Sequence, residues 1–118
     1  MKILIPLDEN KKDVCIVFGR SPYFMLYDIE NNKTTILENP AANVQGGAGL
    51  KSAQFVVDSG ADILITVRCG ENASEVLKLA NIKIYKSQSK LASDDIELFK
   101  QGKLDILEKF HAGYHGNN

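Results

Sequence analysis

Residues 60–86, GADILITVRCGENASEVLKLANIKIYK, decide the class of fold. Ile63-Leu64-Ile65-Thr66-Val67 carries apolar side chains on both faces, the pattern of a strand in the middle of a parallel sheet. Arg68-Cys69-Gly70 breaks that run. Ala73, Val76, Leu77 and Ala80 then recur at helical spacing, with Asn72 and Glu75 placed as a variant capping box. Ile82 to Lys86 follows as a short strand. A strand, a helix and a second strand at this spacing form a crossover unit, which pairs its strands in parallel.

Working toward the N-terminus, Gly60 halts a helix marked by Leu50, Ala53, Val56 and Val57. Asn39 to Gly49 is a loop that finishes in Gly46-Gly47-Ala48-Gly49. Before it, Tyr23 to Glu30 alternates with a period of two: Tyr23, Met25, Tyr27 and Ile29 share one face. Asn31-Asn32 tolerates the left-handed conformation of a tight turn, so Lys33 to Glu38 is read as the returning strand of a hairpin. Ile3-Leu4-Ile5 is a buried strand that Pro6 is expected to close. Val14 to Phe18 is either a short strand or a tucked loop. Toward the C-terminus, a last helix starts at Ser93, presents Ile96 and Phe99, and stops at Gly102. The expected protein is one three-layer α/β domain over residues 1–104, with a mixed sheet of about five strands flanked by helices. A tail, residues 105–118, is expected to end in disorder.

The 118 residues carry 14 basic and 15 acidic side chains, a formal charge of −1, which lacks the basic footprint of a dedicated nucleic-acid binder. Neither a signal-peptide core nor the roughly 20 apolar residues of a membrane span occurs, so a cytoplasmic protein is expected. Two cysteines, Cys15 and Cys69, are too few for a disulfide scaffold and fit no zinc signature.

Ligands of open α/β sheets bind beyond the carboxyl ends of parallel strands. Asp8, the glycine loop and Arg68-Cys69-Gly70 are expected to meet there. Two of these segments run into helices, whose first N–H groups and positive dipole ends suit an anion. Gly46, Gly47 and Gly49 lack the Lys-Ser/Thr of a phosphate loop, so they point to open backbone donors rather than to a nucleotide. Cys69 carries two readings. At a helix start beside Arg68 it is a thiolate able to ligate a soft metal, and otherwise it is a small apolar filler. Cys15, inside an apolar run, reads as filler. His111 and His115 have the spacing of a chelating pair if the tail is helical, against which stands Gly113. No histidine lies elsewhere, which removes internal Cys–His or Ser–His pairs and with them the usual nucleophilic catalysis. Asp8 has no evident partner carboxylates for a nuclease-like metal site.

The opening Met1-Lys2-Ile3-Leu4-Ile5-Pro6-Leu7-Asp8, then Phe18-Gly19-Arg20-Ser21-Pro22-Tyr23-Phe24 and Asn39-Pro40, resembles the dinitrogenase iron–molybdenum cofactor biosynthesis family. The Gly46–Gly49 loop, Gly60-Ala61-Asp62, Gly70 followed by Asn72-Ala73, and Lys100-Gln101-Gly102-Lys103-Leu104 extend the resemblance over residues 1–104. It implies a ribonuclease-H-like α/β fold and a non-catalytic protein that binds, carries or helps assemble an iron–molybdenum or iron–sulfur cluster. A protein that donates or accepts the cluster is the implied partner. Two departures stand out: Val17 occupies the place of a family histidine before Phe-Gly-Arg, and Asn43-Val44-Gln45 replaces a histidine-bearing loop. These shift the expected ligand set to Cys69, Gly70, the glycine loop and Arg20, whose guanidinium can pair with an anionic cluster. The alternative is a metal-free interaction domain that binds a partner protein or a small oxyanion.

Overall fold

A computed structural model, which describes residues 1–108, contains the crossover unit as β4 (Ile63–Thr66), α2 (Glu71–Leu79) and β5 (Lys83–Lys86), with β4 and β5 parallel in the register Ile63 to Lys83. The strand β1 (Lys2–Leu7) lies parallel to β4 on its other side. The hairpin is formed by β2 (Tyr23–Asp28) and β3 (Lys33–Glu38), with β2 antiparallel to β1. The result is a five-stranded mixed sheet in the order β3-β2-β1-β4-β5. Asn32 takes φ 51° in the hairpin turn, the left-handed conformation expected of this Asn-Asn pair.

Three helices cover the sheet: α1 (Ala48–Asp58), α2 and α3 (Ala92–Lys100). On one face Ala53 and Val56 of α1 and Ala73 and Leu77 of α2 pack over Leu4, Phe24, Leu64 and Ile84. On the other, Ala92 and Ile96 of α3 pack with Ile3, Ile5, Met25, Tyr27, Ile63 and Ile65. The period-two division of β2 therefore holds, with Phe24 and Leu26 toward α1 and α2 and Met25 and Tyr27 toward α3. The central strands read as apolar on both faces because helices cover both faces.

Several boundaries differ from the expectation. β1 runs through the buried Pro6 to Leu7. Pairing with β4 involves only Ile3 and Leu4, so the proline falls beyond the end of that ladder, where its missing N–H leaves no bond unmade. Its carbonyl is taken by the N–H of Cys15, at 2.8 Å. Residues 14–18 form a tucked loop rather than a strand: Val14, Cys15 and Phe18 are buried, and Ile16 and Val17 stand exposed. α1 begins two residues earlier than Leu50, which puts Gly49 inside the helix and leaves Leu50 exposed while Ser52 is buried. α2 begins at Glu71 with Gly70 at its cap, so Asn72 and Glu75 make no capping box. α3 begins one residue before Ser93. Beyond it, Ile106 pairs with Tyr85 and the N–H of Leu107 donates to the carbonyl of Ile84, so the start of the expected tail runs along β5.

Candidate anion-binding site

The strands β1, β3, β4 and β5 all point the same way, and each of the three helices starts at the end where they finish. The loops that gather there are cross-linked by a small buried network. Asn39 donates from Nδ2 to the carbonyl of Ser21 (2.9 Å) and to Ser52 Oγ (3.0 Å), and its Oδ1 accepts from the N–H of Ala41 (3.0 Å). The Ser52 hydroxyl in turn donates to the carbonyl of Gly19, at 2.8 Å. The loop before β2, the loop after β3 and the second turn of α1 are thereby fixed to one another. Gly19 lies so close to α1 that a Cβ there would stand 2.9 Å from both Cα and N of Gly49. Arg20 extends along the same surface and donates from Nη1 to the carbonyls of Val44 (2.7 Å) and Ala42 (3.2 Å). It holds the approach to the glycine loop and makes no ion pair with Asp8.

The three helix starts are not equivalent. That of α3 is occupied by the protein itself: the N–H of Ala92 donates to the carbonyl of Lys12, and Asp94 and Asp95 lie in the first turn. The fully buried Asp95 accepts from the N–H groups of Gln88 and Ser89 (both 3.0 Å) and from the Ser87 hydroxyl, which shapes the turn after β5. α1 and α2, by contrast, have glycine caps, Gly47 and Gly70, and neither receives a side-chain cap bond. Gly47 adopts φ 70°, a conformation costly for any residue with a Cβ. A Cβ placed at Gly46, Gly47, Gly49 or Gly70 would meet nothing within 4 Å, so the space beside these backbone groups is open. The first turn of α1 holds no carboxylate, whereas that of α2 holds Glu71. The α1 terminus is therefore the more favourable of the two for an anion.

The thiols are placed otherwise than the electrostatics of a helix start suggests. Cys69 is 2 % exposed and packs among Leu4, Phe18, Phe24, Ala73 and Leu77. Burial pushes its thiol up to about 12 against a small opposing effect of the Lys78 charge. Of the two readings of Cys69, this burial favours the small apolar filler over the helix-start thiolate, and Arg68 stands exposed beside it. Cys15 is buried too, its thiol pushed up to about 11 by burial and by the neighbouring Asp8 carboxylate. Asp8 itself sits on the exposed turn after β1, against Cys15. Among the described residues no three His, Cys, Asp or Glu side chains come together in a way that could hold a metal ion. His111 and His115 lie outside the described residues.

The structure thus brings together Arg20, Gly46, Gly47 and Gly49 around the start of α1 and places Gly70 at the start of the adjacent α2. Sequence reasoning missed Asn39, Ser52 and Gly19 as the supports of this surface. Asn39-Pro40 and the glycine of Phe-Gly-Arg were visible signals. Ser52 had none, since a serine beside an apolar stripe is indistinguishable from a solvated one until the helix is docked.

The model of the dinitrogenase iron-molybdenum cofactor family matches residues 1–102. The chain belongs to that family. Membership connects it with the small proteins of nitrogenase cofactor handling. An uncharacterised protein of Methanocaldococcus jannaschii, MJ0580, is 35% identical over 111 residues, which cover 92% of each chain. A Thermotoga protein described as a candidate NifB protein is 32% identical in its solution structure, with a TM-score of 0.78, covering 95% of this chain and 97% of that one. The apo form of the orange protein from Desulfovibrio gigas shares the fold, with a TM-score of 0.82 at 24% identity over 90% of this chain and 92% of its own. The three-layer α/β architecture with a mixed five-stranded sheet expected from the order of strands and helices is the one observed. No helix among the described residues is long and apolar enough to cross a membrane.

Proposed function

We propose that this member of the family is a non-catalytic binding protein for an anionic metal–sulfur cluster of the iron–molybdenum or iron–sulfur type, which it receives from or passes to a partner protein. The observation that carries the reading is the pair of glycine-capped helix starts, α1 and α2, which receive no side-chain cap bond and open at one end of the sheet. The residues present do not fit a cluster caged by protein thiolates, because Cys69 is buried in the core, where desolvation disfavours its thiolate, and no ligand group assembles among the described residues. They fit an anion held from outside: backbone N–H groups of residues 47–49 and 70–72 donate to it, and Arg20 and Arg68 supply positive charge at the exposed surface. Cys69 then supports the floor of the site without bonding to metal.

Anaerobic incubation with iron, sulfide and molybdate, followed by desalting and visible absorption, tests the reading. Colour retained by both wild type and Cys69→Ser supports it, and a colourless wild type refutes cluster binding. The same burial of Cys69 favours the second reading, a metal-free domain that binds a small oxyanion or a partner protein. Thermal stabilisation by phosphate or molybdate without iron and sulfide, in a chain that stays colourless, selects that alternative.

A further inference from the structure

The two edges of the sheet are treated differently. The β5 edge is covered by residues 105–107, through Lys86 N–H to the Asp105 carbonyl (2.8 Å) and Leu107 N–H to the Ile84 carbonyl (2.9 Å). The β3 edge carries no such cover among the described residues. Just past its end, the N–H of Asn39 donates inward to the carbonyl of Pro22, at 3.0 Å. Backbone groups alternate in direction along a strand, so Lys33, Thr35 and Leu37 face β2 while Thr34, Ile36 and Glu38 turn their N–H and C=O groups outward. The charged residues of the strand, Lys33 and Glu38, stand at its two ends. Its middle, Thr34-Thr35-Ile36-Leu37, has neither charge nor proline to block pairing.

We propose that a second copy of this chain pairs antiparallel with β3 about a two-fold axis at Ile36, making one sheet continuous across both copies. Antiparallel pairing requires an outward-facing residue opposite another, and Ile36 opposite the partner's Ile36 meets that rule. Thr34 then faces the partner's Glu38, and Glu38 the partner's Thr34. Ile36 is 39 % exposed, an apolar side chain that this register covers with its own copy. Charge favours the same arrangement. Thr34 is the register partner of Tyr27, whose ring has Lys100 Nζ 4.9 Å from its centroid. The partner's Glu38 therefore arrives on the face of the sheet where Lys100 stands, which already pairs with Glu97 at 3.5 Å and has ammonium protons for a second carboxylate, and the two-fold axis repeats the contact. This one register satisfies the backbone, the apolar side chain and the charge together.

Sedimentation velocity of the intact chain up to about 1 mM tests the pairing, because an edge contact of this size belongs with weak interfaces of under about 1,200 Å². The wild type is expected to move toward twice the chain mass as concentration rises. Ile36→Lys and Ile36→Glu each place like charges face to face at the axis and are expected to weaken association at least tenfold, with unchanged far-UV circular dichroism. An equimolar mixture of the two variants is expected to associate again, because lysine now faces glutamate. The proposal is overturned by a wild type that stays monomeric throughout, by an Ile36→Lys chain that associates like wild type, or by a mixture that remains monomeric.

Discussion

Replacing Gly19 by alanine drives a methyl group into the backbone of α1. The added carbon would stand 2.9 Å from Cα and from N of Gly49 and 3.3 Å from the carbonyl carbon of Ala48. All three are main-chain atoms of a helix start that is itself tied to the Gly19 carbonyl through Ser52. Rotating a side chain therefore cannot relieve the contact, and either the loop or the first turn of α1 must move. Two effects compete. Alanine restricts the unfolded chain more than glycine does, which stabilises by about 0.4–1 kcal/mol where the native conformation accepts it. Overpacking a close contact costs about 1–3 kcal/mol. The contact wins, and a net destabilisation of about 1–2 kcal/mol is expected. With a urea m-value of about 1–2 kcal/mol/M, the unfolding midpoint falls by about 1 M at unchanged slope. Gly46→Ala is the control: a Cβ there meets nothing, so only the unfolded-chain effect of about 0.4–1 kcal/mol remains and its midpoint should rise slightly rather than fall. An unchanged or raised midpoint for Gly19→Ala at the same slope would refute the claim that the Phe-Gly-Arg loop is seated on the α1 start.

Gly49→Ala separates stability from binding: a helix-interior alanine with free space around its Cβ should raise the unfolding free energy by about 0.5–1 kcal/mol while weakening retention of the anion, as read by colour after desalting. Ser52→Ala removes an acceptor from Asn39 and the donor to the Gly19 carbonyl, and should cost about 1–3 kcal/mol in urea denaturation. The buried thiols make stability depend on alkaline pH. Because Cys69 is raised from 9.0 to about 12, its contribution is fully present below about pH 9 and is lost as pH rises through 12. Cys15, raised to about 11, acts in the same direction. Denaturation midpoints should fall steadily above about pH 9, and a Cys15→Ala, Cys69→Ala double variant should flatten that fall. A thiol reagent at neutral pH should label Cys69 only as the chain unfolds, and prompt labelling of the native protein would contradict its burial.

The sequence by itself determined the order of strands and helices and the mixed pairing of the sheet. Strands such as Ile63–Thr66 are buried on both faces, and that leaves an apolar run which no other environment requires. The hairpin was equally legible, because alternation in Tyr23–Asp28 and an Asn-Asn turn are local properties. The starts of α1 and α2 were placed late, since a glycine cap gives no side-chain signal. What the tertiary structure alone decided was the environment of the site. Cys69 and Gly70 are neighbours in sequence, yet one thiol is pressed into a core built from β1, β2, α2 and the Phe18 loop while the adjacent glycine opens to solvent-side space. A thiol's proton affinity depends on what surrounds it, and the groups that surround Cys69 come from positions as distant in sequence as Leu4 and Leu107. The same holds for Asn39, Ser52 and Gly19, whose roles exist only once two loops and a helix meet. The residue types at this end of the sheet were readable from the chain. Whether each one faces a ligand or a core depended on packing between distant segments.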